Sequence, residues 1–383
     1  MENFEQIDTC LGVYCHVPFC AHRCSYCAFY QEQPTRQLIE KYLATVEMEI
    51  DLLCVKSPFD TIYIGGGTPG TLPPDDMARL CSALVKNNGM TKPAEFSVEF
   101  SPATVKREKI EILKNYSCNR ITVGVQSFDQ KTLRTLGRRQ SNKQVFDACE
   151  IISSCGVENF GIDLIFGVPG QTIGEWIGDL SCAIDLKPKH VSTYNLTFEE
   201  GTALGKSLME KMICKKSVEE EANFYLRTWA FLKENGYAQY EISNFCLPGF
   251  ESVHNSNTWR MQDWIGVGPS ACSQYKNSRF ANPPSISKWM KNVENGNLAC
   301  KNPEIISEKT LVEDALIFGL RMNEGVSISK LKNRFKNVDF GRWDAIFSDL
   351  DQQNLLQFSE GTVKLTDSGR LVADAIAVEI LAV

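Results

Sequence analysis

Short apolar runs alternate with longer segments of helical periodicity over the first 240 residues of the chain. The apolar runs are rich in Val, Ile, Phe and Tyr, as buried strands are, and comprise Leu11–Val17, Thr61–Ile64, Glu95–Phe100, Arg120–Val125, Asn159–Ile165 and His190–Leu196. The segments with helical spacing that follow them are Gln37–Cys54, Asp75–Lys86, Lys106–Tyr116, Lys143–Cys155, Ile173–Leu186 and Val218–Asn235. Six strand–helix units in succession predict parallel strands joined by right-handed crossovers. The sequence therefore predicts an α/β fold, an open barrel of (β/α)6 type.

The pattern changes after Tyr237. The stretch 240–282 is rich in Asn, Ser, Trp and Gly without a clear period, and is predicted to be a loop-rich segment packed on the barrel. Further helices are then predicted, over Leu311–Leu320, Ser329–Phe335, Trp343–Gln352 and Ser368–Leu381. Apolar runs on both sides of Glu360-Gly361 predict a β-hairpin. We expect a barrel over residues 1–240, a connecting segment over 241–303 and a small winged-helix-like α+β domain over 304–383.

Composition narrows the class of protein. The net charge is −7 and the basic residues form no block, which disfavours binding to nucleic acid. The fifteen cysteines are scattered without the pattern of a disulfide framework, which indicates a reducing compartment. The sequence shows neither the pattern of a signal peptide nor an apolar run long enough to span a membrane, so neither is expected. We therefore expect a cytoplasmic protein with no membrane span.

Three cysteines lie close together directly after the first predicted strand. Cys20, Cys24 and Cys27 are separated by three and then two residues, which places three thiolates on one tight loop. Such a loop can hold three irons of a 4Fe-4S cube and leave the fourth iron open, whereas most clusters are closed by four cysteines. The alternatives are a zinc site completed by His16 or His22, or three ordinary buried thiols. The spacing favours the iron–sulfur interpretation.

Further unusual residues fall where other predicted strands end. The run Gly65–Pro69 follows the second strand, Glu99 ends the third, Gln126 ends the fourth, and Asp163 lies near the end of the fifth. In a parallel barrel these ends open on one face, where such folds build their sites. Turn residues accumulate at strand ends in any case, and this explains the glycines but not the polar side chains within apolar strands. The sequence therefore predicts a single site at this face.

These motifs together resemble the radical S-adenosylmethionine (SAM) family that contains oxygen-independent coproporphyrinogen III oxidase and the related HemW-type haem chaperones. The resemblance covers nearly the whole chain, including the small C-terminal domain. Besides the cysteine triplet and Gly65–Pro69, it rests on the runs Tyr14–Cys20, Gly124–Ser127, Gly161–Leu164, His254-Asn255 with Trp259, and Gly266–Ala271.

The resemblance implies two bound cofactors and a residue set for each. Cys20, Cys24 and Cys27 would ligate a 4Fe-4S cluster, and Tyr14, Gly66 and Glu99 would contact SAM on its open iron. The positions that match contacts to SAM, or to a second molecule of similar size beside it, are Tyr26, Gly67, Thr68, Gln126, Arg138 and Asp163. The implied partners are haem or a porphyrin, haem-acceptor proteins and an electron donor.

The two branches of the family differ around the cysteines. The oxidases carry a fourth cysteine two residues after the third and a long N-terminal extension, whereas here Phe29 stands at that position and only 19 residues precede Cys20. The sequence therefore favours a chaperone that carries haem as cargo, with coproporphyrinogen oxidation as the alternative. A non-catalytic scaffold that uses its C-terminal domain for protein contacts is a third possibility.

The chain also departs from the chaperone pattern. Ala28 replaces an aspartate, Gln140 stands where a histidine is expected, and Thr258 replaces a tyrosine. His254 is a candidate for contact with haem, and a histidine that orders the asparagine-rich loop is the alternative. Cys10 and Cys15 are further candidates for haem attachment.

Overall fold

The computed structural model describes residues 10–53, 57–86 and 94–382, and its described strands form one large and one small sheet. The strands of the large sheet are β1 (Leu11–Val17), β2 (Thr61–Gly66), β3 (Glu95–Phe100), β4 (Arg120–Gln126), β5 (Phe160–Phe166), β6 (His190–Asn195), β7 (Ala238–Glu241), β8 (Asn244–Cys246), β9 (Asp263–Val267), β10 (Cys272–Tyr275), β11 (Ser278–Ala281) and β12 (Glu304–Ile305). Their order across the sheet is β12-β11-β10-β9-β1-β2-β3-β4-β5-β6-β8-β7. Strands β1 to β6 are parallel neighbours in chain order, which confirms the predicted open barrel of (β/α)6 type.

Helices connect these parallel strands. They are α1 (Arg36–Leu52), α2 (Pro74–Val85), α3 (Arg107–Asn115), α4 (Gln130–Thr135), α5 (Asn142–Ser154), α6 (Ile173–Asp185), α7 (Ala203–Met209) and α8 (Val218–Glu234). Six of them lie within two residues of the predicted helices, although the predicted end of the first, at Cys54, lies outside the described residues. Helices α4 and α7 were not predicted, because six or seven residues are too few to show a helical period.

Local sequence determines where the longer helices begin. Ser141, Thr172 and Ser217 each accept a hydrogen bond from the backbone of the residue three positions later, whose Gln or Glu side chain accepts from the capping residue in return. These capping boxes satisfy backbone N–H groups that have no partner inside the helix. The apolar faces of the helices then pack on the strands in one continuous core.

The segment after α8 differs from its prediction. It was expected to be loop-rich, but it contributes strands β7 to β12 to the large sheet, together with helices α9 (Val253–Trp259) and α10 (Ile286–Glu294). Strand β9 pairs in parallel with β1, on the side of β1 opposite β2. The strands are two to five residues long and rich in polar residues, so no alternation is visible in the sequence. Their conformation is set by pairing with distant strands.

The C-terminal part combines five helices with a small antiparallel sheet. Its elements are α11 (Glu308–Leu320), β13 (Val326–Ser327), α12 (Ile328–Arg334), α13 (Asp344–Gln352), β14 (Leu356–Ser359), β15 (Thr362–Leu365), α14 (Asp367–Leu371) and α15 (Ala373–Leu381). The predicted hairpin is β14–β15, and both Glu360 (φ 50°) and Gly361 (φ 78°) have the positive φ of a type I′ turn. The predicted final helix is interrupted at Val372, whose φ of −121° is not helical.

Trp343 anchors the core of this part. It is fully buried, donates its indole N–H to the carbonyl of Ile380 (3.1 Å) and packs edge-on against Phe340. We expect Trp343→Ala to lower the free energy of unfolding by about 3–5 kcal/mol, the usual cost of removing a large buried aromatic side chain. Chemical denaturation followed by circular dichroism measures this loss. Phe358→Ala is the control, since that ring is 51% exposed. Equal losses in the two variants would contradict the anchoring role.

Candidate metal and cofactor site

The barrel strands are buried except for a few positions that coincide with the predicted site. In β1, β3 and β5 a single residue of each strand is incompletely buried, and these residues are Tyr14, Glu99 and Asp163. In β4 the two such positions are Gly124 and Gln126. All twelve residues predicted to bind the cluster or SAM share this intermediate exposure: Tyr14, Cys20, Cys24, Tyr26, Cys27, Gly66, Gly67, Thr68, Glu99, Gln126, Arg138 and Asp163. Because most of these residues lie on or directly after parallel strands, they surround the carboxyl-terminal end of the barrel, which we call the opening.

The cysteine loop is anchored at both ends to the end of β1. Phe19 and Glu32 form a parallel bridge, the Cys20 N–H donates to the Glu32 carbonyl (3.1 Å), and the Glu32 N–H donates to the Pro18 carbonyl (2.6 Å). Within the loop, the Cys27 N–H donates to the carbonyl of Cys24 (3.3 Å). These bonds close residues 20–32 into a compact loop that holds three thiols above the barrel.

The glycine run after β2 lies directly under this loop. The N–H of Gly67 donates to Val17 O and that of Thr68 to Phe19 O, both at 2.9 Å. The hydroxyl of Thr68 lies 3.5 Å from the sulfur of Cys20. A Cβ on Gly67 would come within 3.1 Å of the same sulfur. The glycine is therefore required for the close approach between the two loops.

Gly66 shows a second reason for glycine in this run. Its φ of +112° is unfavourable for residues with a side chain, and a Cβ would meet the His16 ring at 2.7 Å. His16 is buried, and its ring nitrogens contact the hydroxyl of Tyr14 (3.3 Å) and the carbonyl of Tyr30 (3.0 Å). This ring therefore links the predicted SAM contacts Tyr14 and Gly66 to the cysteine loop.

Arg138 reaches the cysteine loop from the segment after α4. One guanidinium nitrogen lies 3.7 Å from the sulfur of Cys24, another donates to the carbonyl of Gly124, and Nε donates to Gln140 (3.0 Å). Gln140 in turn donates to the carbonyl of Val125. The glutamine that departs from the family pattern therefore orients Arg138 between the end of β4 and a predicted cluster ligand.

Two carboxylic acids face the opening from β3 and β5. Burial raises the pKa of Glu99 to about 7, and hydrogen bonds from Tyr63 (2.7 Å) and the backbone of Gly66 oppose this shift. Burial likewise raises the pKa of Asp163 to about 6, opposed by a hydrogen bond with Ser192. Each negative charge therefore needs additional donors to be stable, and hydroxyl or ammonium groups of a bound ligand can supply them.

Gln126 ends β4 in a strained conformation. Its φ is +69°, and its buried Oε1 has no hydrogen-bond partner among the described residues. A buried acceptor without a partner is uncommon and indicates a donor from a ligand or water. Its placement thus fits the predicted contact with a SAM-sized molecule.

Asp179 of α6 holds the segment that follows Gln126. This buried carboxylate accepts hydrogen bonds from the Ser127 hydroxyl (2.6 Å), the Phe128 N–H (2.6 Å) and the Asp129 N–H (3.1 Å). We expect Asp179→Ala to lower the free energy of unfolding by roughly 2–4 kcal/mol, because it leaves buried donors unpaired. Since the segment directly after Gln126 is then no longer held, SAM affinity is expected to fall. Thermal unfolding and SAM titration measure the two effects, and Asp185→Ala on the same helix is the control. Unchanged stability and affinity would contradict this role.

Sequence analysis missed two tyrosines that face the same opening. Tyr63 in β2 donates its hydroxyl to Glu99, and its ring lies 6.1 Å from that of Tyr14. Tyr194 in β6 is 40% exposed and directly follows four buried residues. Both lie on strands that were predicted correctly. A signal was present, since an aromatic residue with a polar tip can mark a strand face that meets solvent or a ligand.

His254 lies at the other end of the strands. Its buried ring contacts Thr61 (Nδ1 to Oγ1, 2.9 Å), the first residue of β2, and its backbone N–H donates to Glu95 (3.2 Å), the first residue of β3. The structure thus corresponds to the alternative interpretation, a histidine that orders its own segment. Cys15 is fully buried, and the sulfur of Cys10 accepts a hydrogen bond from Asn257 (2.8 Å).

The donor set fits an iron–sulfur cube. Among the described residues, no three His, Cys, Asp or Glu side chains are placed to hold a single metal ion. A cube does not require such convergence, because each thiolate binds a different iron. Burial raises the pKa of the Cys20 and Cys27 thiols, while the positive charge of Arg138 acts in the opposite direction. Metal binding would complete their deprotonation.

Comparison with known proteins identifies the family. Residues 14–182 match the radical SAM superfamily and residues 306–372 match the HemN C-terminal domain. The heme chaperone HemW of Lactococcus lactis is 33% identical over 358 residues, which are 94% of each chain. This chain belongs to the HemW family of radical SAM proteins. The predicted resemblance to the chaperone branch is thereby confirmed, and family membership implies a 4Fe-4S cluster and SAM.

A second relative and a solved structure support the same family and fold for this HemW-family chain. The heme chaperone HemW of Bacillus subtilis is 30% identical and covers 95% of this chain and 97% of its own. The structure of the Escherichia coli coproporphyrinogen III oxidase HemN superposes with a TM-score of 0.81 at 22% identity, over 97% of this chain and 90% of that one. The oxidase therefore shares the fold. None of the described helices has the length and apolar character required to cross a bilayer.

Proposed function

We propose that this chain is a haem chaperone that binds haem as cargo and delivers it to haemoproteins. The observation that carries the proposal is its similarity, over nearly its whole length, to proteins named heme chaperone HemW. The site supports it, because the cysteine loop carries three cysteines and Phe29 stands where the oxidase branch has a fourth. The proposal includes a cytoplasmic location, acceptor proteins and an electron donor as partners.

In this proposal the three cysteines hold the cluster. Cys20, Cys24 and Cys27 lie on the loop closed by Glu32. The positively charged guanidinium of Arg138, beside Cys24, partly offsets the electrostatic repulsion between the three thiolates. When bound, a cluster with one open iron supplies a coordination position and a one-electron donor for SAM. The chain itself supplies the anchored loop and the residues at the strand ends that adjoin it.

The residues at the strand ends bind SAM in this proposal. Tyr14, Gly66 and Glu99 contact it directly, with Glu99 accepting hydrogen bonds from its hydroxyl groups. The remaining positions form contacts to SAM or to a second molecule of similar size: Tyr26, Gly67, Thr68, Gln126, Arg138 and Asp163. The unpartnered Oε1 of Gln126 and the raised pKa values of the two carboxylic acids are the features of the structure that support this assignment.

Two assays on anaerobic, cluster-reconstituted protein test the function. In the first, the chain is loaded with haem and mixed with an apo-haemoprotein, and we expect haem to appear in the acceptor faster than from free haem. In the second, the chain is incubated with SAM, reductant and coproporphyrinogen III, and we expect no protoporphyrin. Protoporphyrin formed over many turnovers would establish the oxidase instead. Partner binding and cellular function that survive replacement of the three cluster cysteines by alanine would support the scaffold hypothesis instead.

A further inference from the structure

The last residue of helix α7 and the turn that follows it expose two methionine side chains. Met209 is 67% exposed and Met212 is 70% exposed, and among the large apolar side chains that the structure describes only Val218 (76%) exceeds Met212. Methionine is usually buried, so two adjacent exposed thioethers indicate a surface that is covered by something else in the working protein.

The backbone of the turn places these side chains at its tip. Lys211 has a φ of +58°, and the N–H of Met212 donates to the carbonyl of Ser207 (2.9 Å), which closes the end of the helix. The chain therefore reverses between Met209 and Met212, and both side chains project from the same short turn.

The other side chains of the turn include a thiol and two ammonium groups. Lys211, Cys214 and Lys215 are exposed, so residues 209–215, which we call the methionine turn, combine three sulfur atoms with two ammonium groups. The one carboxylate of the turn, that of Glu210, is paired with Lys206 (3.7 Å). Thioether and thiolate sulfurs are axial ligands of haem iron, exposed methionine covers flat apolar surfaces, and ammonium groups pair with carboxylates. A haem has all three counterparts: iron, an apolar ring and two propionates.

The methionine turn is also joined to the cysteine loop. The N–H of Leu204, in the first turn of α7, donates to the carbonyl of Ser25 (2.9 Å). Ile213, between Met212 and Cys214, packs on the same small apolar cluster as Leu204 and Tyr26. Helix α7 and the methionine turn are therefore packed, through Leu204 and Ile213, against the segment that carries the cluster cysteines.

We propose that the methionine turn is the docking site for the haem cargo. Cys214 supplies a sulfur ligand to the iron, the side chains of Met209 and Met212 cover the ring, and Lys211 and Lys215 pair with the propionates. This inference rests on the proposed haem-chaperone function and adds the place where haem binds. His254 and Cys15, both buried, have no part in it.

Titration of ferric haem into the full-length protein, with its cysteine thiols in the reduced form, tests this site. The variants are Cys214→Ser, the pair Met209→Leu with Met212→Leu, and the pair Lys211→Glu with Lys215→Glu. Cys272→Ser and Met48→Leu are matched controls, since Cys272 is exposed on β10 and Met48 is 42% exposed on α1. We expect Cys214→Ser to change the ferric absorption spectrum, and each variant to weaken haem binding by about tenfold or more.

The outcomes separate this inference from the proposed function. Wild-type protein that binds no haem would overturn both. Haem binding by the wild type, with unchanged spectra and affinities in all three methionine-turn variants, would overturn the docking site and leave the chaperone function standing. Because the substituted side chains are exposed, the circular dichroism spectra of the variants are expected to match that of the wild type. A change in the haem absorption spectrum then reports on haem binding and not on folding.

Discussion

Replacing Cys20, Cys24 and Cys27 together by alanine is expected to abolish the iron–sulfur cluster. Iron and acid-labile sulfide should fall from about four atoms each per chain to background, because no protein ligand to the cube remains. The visible absorbance of the reconstituted protein should disappear with them. Since the three side chains are only partly buried, the far-ultraviolet circular dichroism spectrum should be preserved.

A matched triple variant is available as the control. Cys10, Cys182 and Cys272 are likewise partly or fully exposed, and they lie outside the cysteine loop. Their replacement by alanine should leave the iron content, the sulfide content and the visible absorbance of the reconstituted protein unchanged. If this control variant lost the cluster while the loop variant retained it, the assignment of the ligands would be wrong.

Replacing Glu99 by glutamine is expected to weaken SAM binding by roughly 1.5–3 kcal/mol, or about 10- to 150-fold in the dissociation constant. The reason is the loss of a charged acceptor for the hydroxyl groups of the ligand, at a position that already accepts a hydrogen bond from Tyr63. The amide keeps the size of the side chain, so stability should change little. Equilibrium binding of SAM to cluster-reconstituted protein measures the effect.

The pH dependence of SAM binding provides a second measurement on Glu99. Burial raises its pKa to about 7, so below pH 7 the free protein holds a proton there that ligand binding must displace. Wild-type affinity should therefore rise with pH, by at most about tenfold per unit, and level off above pH 7. The groups that face Glu99 are Tyr63, Tyr14, the Gly66 N–H and Asp163; the tyrosine pKa values are raised by burial, so both stay neutral.

The glutamine variant should lose most of this pH dependence. Only the smaller contribution of Asp163, whose pKa is raised to about 6, should remain. An affinity in the variant that equals that of the wild type at pH 8, or that shows the same rise up to pH 7, would show that Glu99 does not bind the ligand.

The sequence alone determined the architecture of the barrel and the candidate ligands of the cluster. Strands β1 to β5 are rich in Val, Ile, Phe and Tyr because nearly all of their positions are buried. Their helices carry capping residues and periodic apolar faces. These requirements are local, because each is met by residues that lie close together in the sequence. The cysteine spacing and the glycine run are local in the same way, since a tight loop and a close backbone approach restrict which residues can occupy them.

Only the tertiary structure decided what surrounds these residues. Asp179 holds the segment after Gln126 from a distance of about fifty residues along the chain, and Gln140 connects Arg138 to β4 and so to Cys24. Strand β9 pairs with β1 although some 250 residues separate them in sequence. No local pattern encodes these pairings, because each partner is an ordinary polar or short segment until the fold brings the other beside it.

Contacts between distant segments also determine the role of His254. In the sequence it stands in a motif that resembles the family, and a role at the haem site and a role in ordering its own segment were equally open. In the structure its ring is buried against Thr61 and Glu95 fixes its backbone at the amino-terminal ends of the strands. Residue types determine which chemistry a side chain can perform, whereas burial and neighbours, which depend on contacts between distant parts of the chain, determine which chemistry it does perform.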